Sequence, residues 1–221
     1  MTKQKPSLKI KICCISSPEE ARMAVKHGAD VLGLVGAMPS GPGVITDEEI
    51  AKIVRELPNH ITTYLLSSET IADNIIDHYN RVKTAGIQLV DTVLQSDYTH
   101  LREALPGVEL VQVIHVTDTS VIDEARQIAP FVDRLLLDSG NPSLPTKELG
   151  GTGRTHNWEI SRQIVAEVNI PVFLAGGLKE TNVMAAIEQV APFGLDLCSG
   201  VRTDQKLDEA KLARFMAVAK S

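Results

Sequence analysis

Pro171-Val-Phe-Leu-Ala-Gly-Gly177 is a short apolar run that stops on glycine, and Gly194-Leu-Asp-Leu-Cys-Ser-Gly200 repeats the pattern. Helix-like segments follow at 179–190 and 207–220. A buried strand that opens through a glycine turn into a helix presents backbone N–H groups at one rim, and the helix dipole favours an anion there. The two runs therefore predict adjacent turns that can bind a phosphate group.

The unit of an apolar run followed by an amphipathic segment recurs eight times along the chain. Most runs are continuously apolar, as parallel strands buried on both faces are. Eight such units predict an α/β fold closed as a (β/α)8 barrel rather than an open doubly wound sheet. The fourth unit is the weakest, because its strand is short. The predicted strands cover 9–15, 31–35, 61–66, 87–89, 108–116, 132–138, 171–175 and 194–199, and the predicted helices cover 18–27, 47–57, 70–84, 98–105, 121–128, 158–168, 180–190 and 208–219.

Local signals mark several helix ends. Ser17 before Pro18 predicts a cap and a first turn, and Thr46 with Glu49 forms a capping box. Gly28 and Gly86 fall where helices are expected to end in a left-handed residue.

Length and composition limit the domain organisation and the partners. The chain has 221 residues, which fits a single barrel domain over 9–221 after a short leader at 1–8. A net charge of −6 gives no electrostatic reason to expect nucleic acid or an anionic membrane as a partner. No apolar run reaches the ~20 residues of a membrane span. Three cysteines, two of them adjacent, fit a reducing cytoplasm, and no spacing typical of a metal site occurs.

Reactive side chains at the C-terminal ends of the predicted strands are the candidates for chemistry, because barrel enzymes hold their active sites there. Cys13 falls at the end of the first strand and Asp138 ends the sixth. Cys13 is either a small buried core residue or a thiol whose anion is stabilised at a phosphate-lined mouth. Asp138 is either a carboxylate that anchors a helix or loop, or a catalytic group, and its place at the mouth favours catalysis.

A glycine-rich loop at the same rim precedes the sixth predicted helix. It is either a simple turn or a mobile loop that covers a substrate. His115, near the end of the fifth strand, is either a base or a hydrogen-bonded structural residue, and Cys198 is expected to line the core or the mouth. The loop residues are Gly151, Thr152, Gly153 and Arg154.

In their order and spacing these residues resemble the phosphoribosylanthranilate isomerase family, cofactor-free barrel enzymes of tryptophan biosynthesis. The resemblance covers the chain from the first strand to the last. It implies a TIM barrel of the ribulose-phosphate-binding type and an isomerase that converts an aldose to a ketose. The matching stretches are Lys11-Ile-Cys-Cys-Ile15, Gly28-Ala-Asp-Val-Leu-Gly33, Leu136-Leu-Asp138, Gly150-Gly-Thr-Gly-Arg-Thr155, Leu174-Ala-Gly-Gly-Leu178 and Asp196-Leu-Cys-Ser-Gly-Val201.

Carried over position by position, the resemblance implies that Cys13 is the general base and Asp138 the general acid. The implied reaction is the Amadori rearrangement of N-(5′-phosphoribosyl)anthranilate to 1-(2-carboxyphenylamino)-1-deoxyribulose 5-phosphate. Asp138 would protonate the ring oxygen as the furanose opens, and the Cys13 thiolate would then remove the C2′ proton from the Schiff base. Neither step requires a metal or a cofactor. The implied phosphate donors are the backbones of Gly176, Gly177, Ser199 and Gly200.

The sequence departs from the family pattern in the region that binds the aglycone. The family usually carries Ser-Pro-Arg after the second strand, and that arginine holds the anthranilate carboxylate, but this chain reads Pro39-Ser-Gly-Pro-Gly-Val-Ile45. The glycine after the catalytic cysteine is replaced by Cys14, and the glutamate after Ser-Gly-Val is replaced by Arg202. Arg154 and Arg202 are the candidates for the missing carboxylate contact.

Three functions are compatible with these residues. The first is an isomerase that acts on the anthranilate compound, and the second is a related isomerase whose phosphoribosylamine lacks the carboxylate. The third is a non-catalytic barrel that binds a phosphosugar, against which the presence of both Cys13 and Asp138 argues. In each case the partner is a small phosphorylated sugar, and the chain is expected to be a monomer or a homodimer.

Overall fold

The computed structural model describes residues 7–39, 41–141, 148–151 and 153–220. Eight parallel strands form a closed barrel in the order of the sequence, and the first strand pairs with the last. The predicted (β/α)8 barrel is therefore confirmed. The leader predicted at 1–8 falls mostly outside the described residues. The barrel strands are β1 (Lys9–Ile12), β2 (Val31–Val35), β3 (Thr62–Ser67), β4 (Gly86–Leu89), β5 (Glu109–His115), β6 (Arg134–Asp138), β7 (Val172–Leu174) and β8 (Gly194–Leu197).

Helices alternate with the strands, and neighbouring helices contact each other around the barrel. A small antiparallel hairpin of β9 (Arg202–Thr203) and β10 (Lys206–Leu207), which the sequence did not predict, separates β8 from the last helix. In the described ranges, no helix is long and apolar enough to cross a membrane. The helices are α1 (Pro18–Lys26), α2 (Asp47–Glu56), α3 (Ala72–Val82), α4 (Gln95–Ala104), α5 (Val121–Ile128), α6 (Trp158–Glu167), α7 (Val183–Val190) and α8 (Glu209–Ala219).

The predicted caps of the first two helices are present, whereas one predicted helix end is wrong. The side chain of Ser17 accepts a hydrogen bond from the Glu20 amide, and Gly28 has a positive φ of 89° after α1. Gly86, however, is the first residue of β4, and α3 ends instead in the left-handed Lys83. A Cβ on Gly86 would lie 2.6 Å from the backbone oxygen of a β5 residue, so this glycine permits close strand packing rather than a turn.

Apolar side chains form two layers, because alternate residues of a strand point to opposite faces. The larger layer lies between strands and helices, and the smaller fills the barrel interior around Tyr64 and Phe173. Near the N-terminal ends of the strands, the Tyr64 hydroxyl donates to Glu109 at 2.5 Å, and Arg134 donates to the same carboxylate at 2.8 Å. This polar cluster and the aromatic rings fill one end of the barrel, and a cavity lies at the other end.

Two strands that border this cavity, β1 and β8, end earlier than predicted. β1 ends at Ile12 and β8 ends at Leu197, so Cys13, Cys14 and Cys198 lie just beyond the strands. Cys14 adopts a left-handed conformation with a φ of 61°, which ends the extended run of β1. The chain therefore turns at the rim, where these cysteines line the cavity.

Candidate active site

A cavity opens at the C-terminal ends of the barrel strands. Its lining comes from residues at or just beyond the ends of most of the strands and from the loops that follow them. They include every residue that the sequence predicted for catalysis and phosphate binding. The lining consists of Cys13, Cys14, Val35, Met38, Gly41, Pro42, Leu66, Gln88, Val90, Asp138, Leu149, Gly150, Gly151, Gly153, Ala175, Gly176, Gly177, Leu178, Asp196, Cys198, Ser199 and Gly200.

Asp138 ends β6 and turns its carboxylate into a nearly dry part of the cavity, where it is only 9% exposed. Burial raises the pKa of this carboxyl, and the nearby Asp196 carboxylate raises it further, whereas the hydrogen bond from the Ser139 amide opposes the shift. A Cβ on Gly150 would lie 2.7 Å from Oδ2 of Asp138, so the loop can approach the acid closely only because it has a glycine there. The protonated form of Asp138 is thus favoured beyond that of an exposed aspartate.

Cys13 lies on the opposite side of the barrel mouth, immediately after β1. Its amide donates to the Leu197 carbonyl at 2.7 Å, which continues the pairing of β1 with β8 past the end of both strands. The side chain is buried but lines the cavity. The structure therefore brings the two predicted catalytic side chains into one site.

A buried ion pair, which the sequence analysis did not identify, lies below Cys13. Lys11 is fully buried, and its Nζ lies 2.9 Å from Oδ2 of Asp196 on the adjacent β8. Burial lowers the pKa of Lys11, but the Asp196 carboxylate outweighs this effect and holds the pKa above its ordinary value. Nζ of Lys11 and Sγ of Cys13 both lie within 3.1 Å of the point that a Cβ on Gly33 would occupy, so both side chains pack against this glycine.

The sequence did contain a signal for this pair. Lys11 and Asp196 are charged residues in the middle of apolar strand segments, and such residues are costly to bury unless they are paired or used. Gln88 gives the same signal in β4, since it is buried, lines the cavity and has an Oε1 atom without a partner among the described residues. Gln88 and Asp196 line the cavity, and Lys11 lies behind its wall.

The two glycine turns lie side by side beyond β7 and β8. Gly176 and Gly177 have positive φ values of 81° and 59°, and a short 3-10 turn, Ser199–Val201, follows β8. A Cβ on Gly177 would lie 2.6 Å from the Arg154 carbonyl carbon, and one on Gly200 would lie 2.0 Å from the Leu178 oxygen. A side chain is therefore excluded at Gly177 and at Gly200, and both glycines line the cavity.

Comparison with known proteins identifies the family. A sequence profile described as N-(5'phosphoribosyl)anthranilate (PRA) isomerase matches residues 10–218. The chain belongs to the phosphoribosylanthranilate isomerase family. The expected resemblance is thereby confirmed over nearly the whole chain.

Members of the family from archaea and bacteria have similar sequences and folds. The isomerase 2 of Methanosarcina mazei is 35% identical over 97% of this chain and 95% of its own length. The isomerase of Methanocella arvoryzae is 32% identical over 93% of this chain and 94% of its own length. The crystal structure of the isomerase from Thermotoga maritima superposes with a TM-score of 0.83 at 27% identity, covering 96% of this chain and 98% of that one.

A further family structure contains a ligand. It is a phosphoribosylanthranilate isomerase in complex with reduced 1-(o-carboxyphenylamino)-1-deoxyribulose 5-phosphate, with a TM-score of 0.81 at 25% identity, covering 96% of this chain and 98% of that one. That ligand is a phosphorylated sugar derivative, the class of molecule that the sequence predicted for this barrel.

In the present chain, the predicted substrate loop packs against two other parts of the candidate site. A Cβ on Gly151 would lie 2.7 Å from Pro42, and one on Gly153 would lie 3.4 Å from the Ser199 hydroxyl. Thr152 lies outside the described residues. The Arg154 guanidinium pairs with Glu148 and is 60% exposed. The loop therefore joins the β2 side of the mouth to the turn that follows β8.

Arg202 does not lie in the site in the way that the sequence predicted. Its buried guanidinium donates to Glu20 at 3.1 Å, to the Cys13 carbonyl at 3.1 Å and to the Cys14 carbonyl at 2.5 Å. It does not line the cavity formed by the described residues. The prediction that Arg202 replaces the family's carboxylate contact is therefore corrected: these partners occupy the guanidinium, and its role is to hold the end of β1.

His115 also matches the structural alternative. Its Nε2 atom lies 2.9 Å from the Val90 carbonyl, and a Cβ on Gly140 would lie 2.4 Å from Nδ1, so packed backbone surrounds the ring. The histidine does not line the cavity described above. It connects β5 to the end of β4 rather than facing a substrate.

The wall opposite the glycine turns is mostly apolar, with Gln88 as its polar member. In barrel order, β7 and β8 lie across from β2 to β4, and the wall on that side is formed by Val35, Met38, Pro42, Leu66 and Val90. Among the described residues that line the cavity there is no lysine, arginine or histidine. This end of the site differs from the carboxylate-binding pocket that the family resemblance implies.

Proposed function

We propose that this chain catalyses the Amadori rearrangement of N-(5′-phosphoribosyl)anthranilate to 1-(2-carboxyphenylamino)-1-deoxyribulose 5-phosphate, the family reaction in tryptophan biosynthesis. The observation that carries the proposal is that Cys13 and Asp138 line one cavity together with the two glycine turns that follow β7 and β8. An isomerase of this kind needs an acid, a base and a holder for the phosphate, and each has a candidate at the barrel mouth.

Asp138 acts as the general acid in this proposal. It donates a proton to the furanose ring oxygen, the C1′–O bond breaks, and the ring opens to a Schiff base. Burial of the carboxyl raises its pKa, which keeps a larger fraction protonated near neutral pH than in an exposed aspartate.

Cys13 acts as the general base and removes the C2′ proton from the Schiff base as a thiolate. The Lys11 ammonium and the Cys13 sulfur both lie against Gly33, and Asp196 holds the ammonium in place. The electron pair released from C2′ moves toward the iminium nitrogen and gives the enolamine. C1′ then takes up a proton and the C2′ hydroxyl loses one, which gives the ketose.

The phosphate is held by backbone amides at the turns of Gly176, Gly177, Ser199 and Gly200, with the loop of Gly151, Thr152, Gly153 and Arg154 covering the substrate. The side chain of Asn182 supports this arrangement, since it donates to the Gly177 carbonyl at 3.0 Å and accepts from the Lys179 amide at 2.9 Å. The β7 turn is thereby fixed before a ligand arrives.

A decisive assay follows the fluorescence of phosphoribosylanthranilate, generated in situ, in the presence and absence of the protein. Cys13→Ala and Asp138→Asn are each expected to lower kcat by about 10²- to 10⁴-fold, because each removes a proton-transfer group. Melting temperatures within a few degrees of the parent show that the variants fold. If a phosphosugar raises the melting temperature of the parent but no ketose forms, the non-catalytic binding barrel is the correct function.

A second substrate is favoured by one observation, the apolar wall opposite the phosphate turns. Both arginine candidates for a carboxylate contact have partners, Arg154 with Glu148 and Arg202 with Glu20. A phosphoribosylamine whose aglycone is uncharged would bury apolar surface against Met38 and Leu66 without leaving a carboxylate unpaired.

The two substrates are distinguished by comparing kcat/KM for phosphoribosylanthranilate with that for the corresponding aniline compound, with ketose formation followed by chromatography. If the aniline compound is the better substrate, the uncharged aglycone is correct; a preference for anthranilate of about tenfold or more supports the family substrate. Arg154→Ala serves as the control, because it changes KM for the anthranilate compound alone if Arg154 contacts the carboxylate.

We also infer that the chain works in the cytoplasm as a monomer or homodimer. The three cysteines are free thiols, as expected in a reducing compartment. Sedimentation of the reduced protein measures the oligomeric state.

A further inference from the structure

The three cysteines of the chain meet at the mouth of the cavity, although only Cys13 has a role in the proposed reaction. The Sγ atoms of Cys14 and Cys198 lie 2.9 Å apart, and Sγ of Cys14 lies 3.8 Å from Sγ of Cys13. We propose that Cys14 and Cys198 form an oxidative modification site, at which a hydroperoxide produces a reversible disulfide that lowers turnover.

The backbone brings these two residues together from both sides. β1 and β8 pair in register up to Ile12 and Leu197, so the residues that follow leave the strands side by side. Adjacent strands lie about 4.7–4.9 Å apart, and a disulfide spans Cα separations of about 4.4–6.8 Å. Arg202 holds the Cys14 carbonyl, which fixes this turn. The S–S bond can therefore close with little movement of the barrel.

The two thiols have different environments, which assigns them different roles. The hydrogen bond with Cys14 lowers the pKa of Cys198, burial opposes this, and the Arg202 cation lowers it further. The pKa of Cys14 is raised well above its ordinary value by its hydrogen bonds with Cys13 and Cys198 and by burial. Cys198 is also the more exposed of the pair, so it is the sulfur that reacts first.

The reaction balances with a hydroperoxide as the oxidant. The Cys198 thiolate attacks one peroxide oxygen, an S–O bond forms, the O–O bond breaks, and the alkoxide leaves and takes up a proton as an alcohol, or as water from hydrogen peroxide. The Cys14 sulfur then attacks the sulfenic acid, an S–S bond forms, the S–O bond breaks, and hydroxide leaves with the Cys14 proton as water. Two thiols lose two electrons, and the peroxide gains them.

The expected effect on turnover rests on the proposed function. An S–S bond of about 2.05 Å consumes the Cys14 thiol, which in the reduced protein lies 3.8 Å from the sulfur of Cys13. It also joins Cys198, which precedes Ser199 in the turn after β8, to Cys14, which follows the proposed base Cys13. Both changes act on the immediate surroundings of the proposed base and on the freedom of the turn at Ser199, while the strands themselves move little.

The test treats the reduced protein with a stoichiometric amount of hydrogen peroxide, blocks the remaining thiols by alkylation and maps the peptides by mass spectrometry. A peptide cross-linked between Cys14 and Cys198, with alkylated Cys13, is expected. The value of kcat/KM is expected to fall by about tenfold or more and to return on reduction with dithiothreitol.

Cys14→Gly is the matched variant, because a φ of 61° suits glycine and the substitution keeps the backbone turn. It is expected to form no cross-link and to keep its activity at the peroxide dose that inactivates the parent, and Cys198→Ser should behave in the same way. Absence of the cross-linked peptide, or equal inactivation of the parent and Cys14→Gly, would overturn the proposal. If the untreated parent has no turnover, the proposed function fails, whereas peptide mapping still decides whether the disulfide forms.

Discussion

Replacement of Lys11 by methionine tests the buried ion pair most directly. Methionine keeps much of the side-chain length but removes the ammonium, and it leaves the Asp196 carboxylate, which is 7% exposed, without its counter-ion. Oδ1 of Asp196 already has no hydrogen-bonding partner among the described residues. The variant therefore buries an uncompensated charge in the barrel interior.

The magnitude follows from this burial. Removal of one partner from a buried pair costs about 3–5 kcal/mol of unfolding free energy. For a domain of this size, each kcal/mol lowers the melting temperature by about 2–4 °C, so Lys11→Met is expected to melt roughly 6–20 °C below the parent. Adding Asp196→Asn removes the stranded charge, and the double variant should lie within about 2 kcal/mol of the parent.

The same strand supplies a matched control. Lys9 pairs with Asp30 at 2.8 Å, but its side chain is 40% exposed, and exposed pairs contribute about 0–1 kcal/mol. Lys9→Met should therefore lower the melting temperature by at most about 4 °C. Any larger general effect of methionine in β1 would show up in this variant.

The pH dependence provides a second readout of Lys11→Met. Burial raises the pKa of Asp196, and at present the Lys11 ammonium partly offsets this effect. Without the ammonium, the folded state binds a proton at a higher pH than the unfolded state, so its stability rises as the pH falls through that raised pKa. Thermal unfolding followed by circular dichroism should show a larger deficit at pH 8 than at pH 5. If Lys11→Met lowers the melting temperature no more than Lys9→Met does, or by an amount that does not change with pH, then Lys11 and Asp196 do not form a buried charged pair.

Two further predictions concern the rim of the barrel. Gly177→Ala places a Cβ 2.6 Å from the Arg154 carbonyl carbon at a φ of 59° and should therefore distort this turn. KM for the phosphosugar should rise at least about tenfold, with little loss of kcat at saturation. An unchanged KM would exclude this turn from phosphate binding. Burial acts to raise the pKa of Glu20, but hydrogen bonds from Arg202 and the Leu207 amide outweigh it and hold the pKa below its ordinary value of 4.5. The stability that this carboxylate contributes is present above pH 4.5 and is lost as the pH falls through the lower folded-state pKa. The melting temperature of the parent should therefore fall more steeply below pH 4.5 than that of Glu20→Gln. Parallel profiles of melting temperature against pH would contradict this.

The alternation of apolar and amphipathic segments was sufficient to predict the closed barrel. Each strand and helix leaves a local pattern, and the glycine turns that follow β7 and β8 are visible because only glycine tolerates their φ values and close contacts. Gly86 shows the limit of such local signals. A glycine that ends a helix and a glycine that permits a close strand contact give the same pattern in the sequence. Only the position of the neighbouring β5 backbone distinguishes them.

What the sequence determined by itself was therefore the order of the elements, the rim at which Cys13 and Asp138 lie, and the family to which the chain belongs. Only the tertiary structure decided the partners of Lys11, Cys14 and Arg202, because closure of the barrel joins its first strand to its last and brings together residues more than 180 positions apart. Arg202 pairs with Glu20 rather than with a substrate for this reason. Contacts of this kind depend on strand register and burial, which no local pattern of residues encodes.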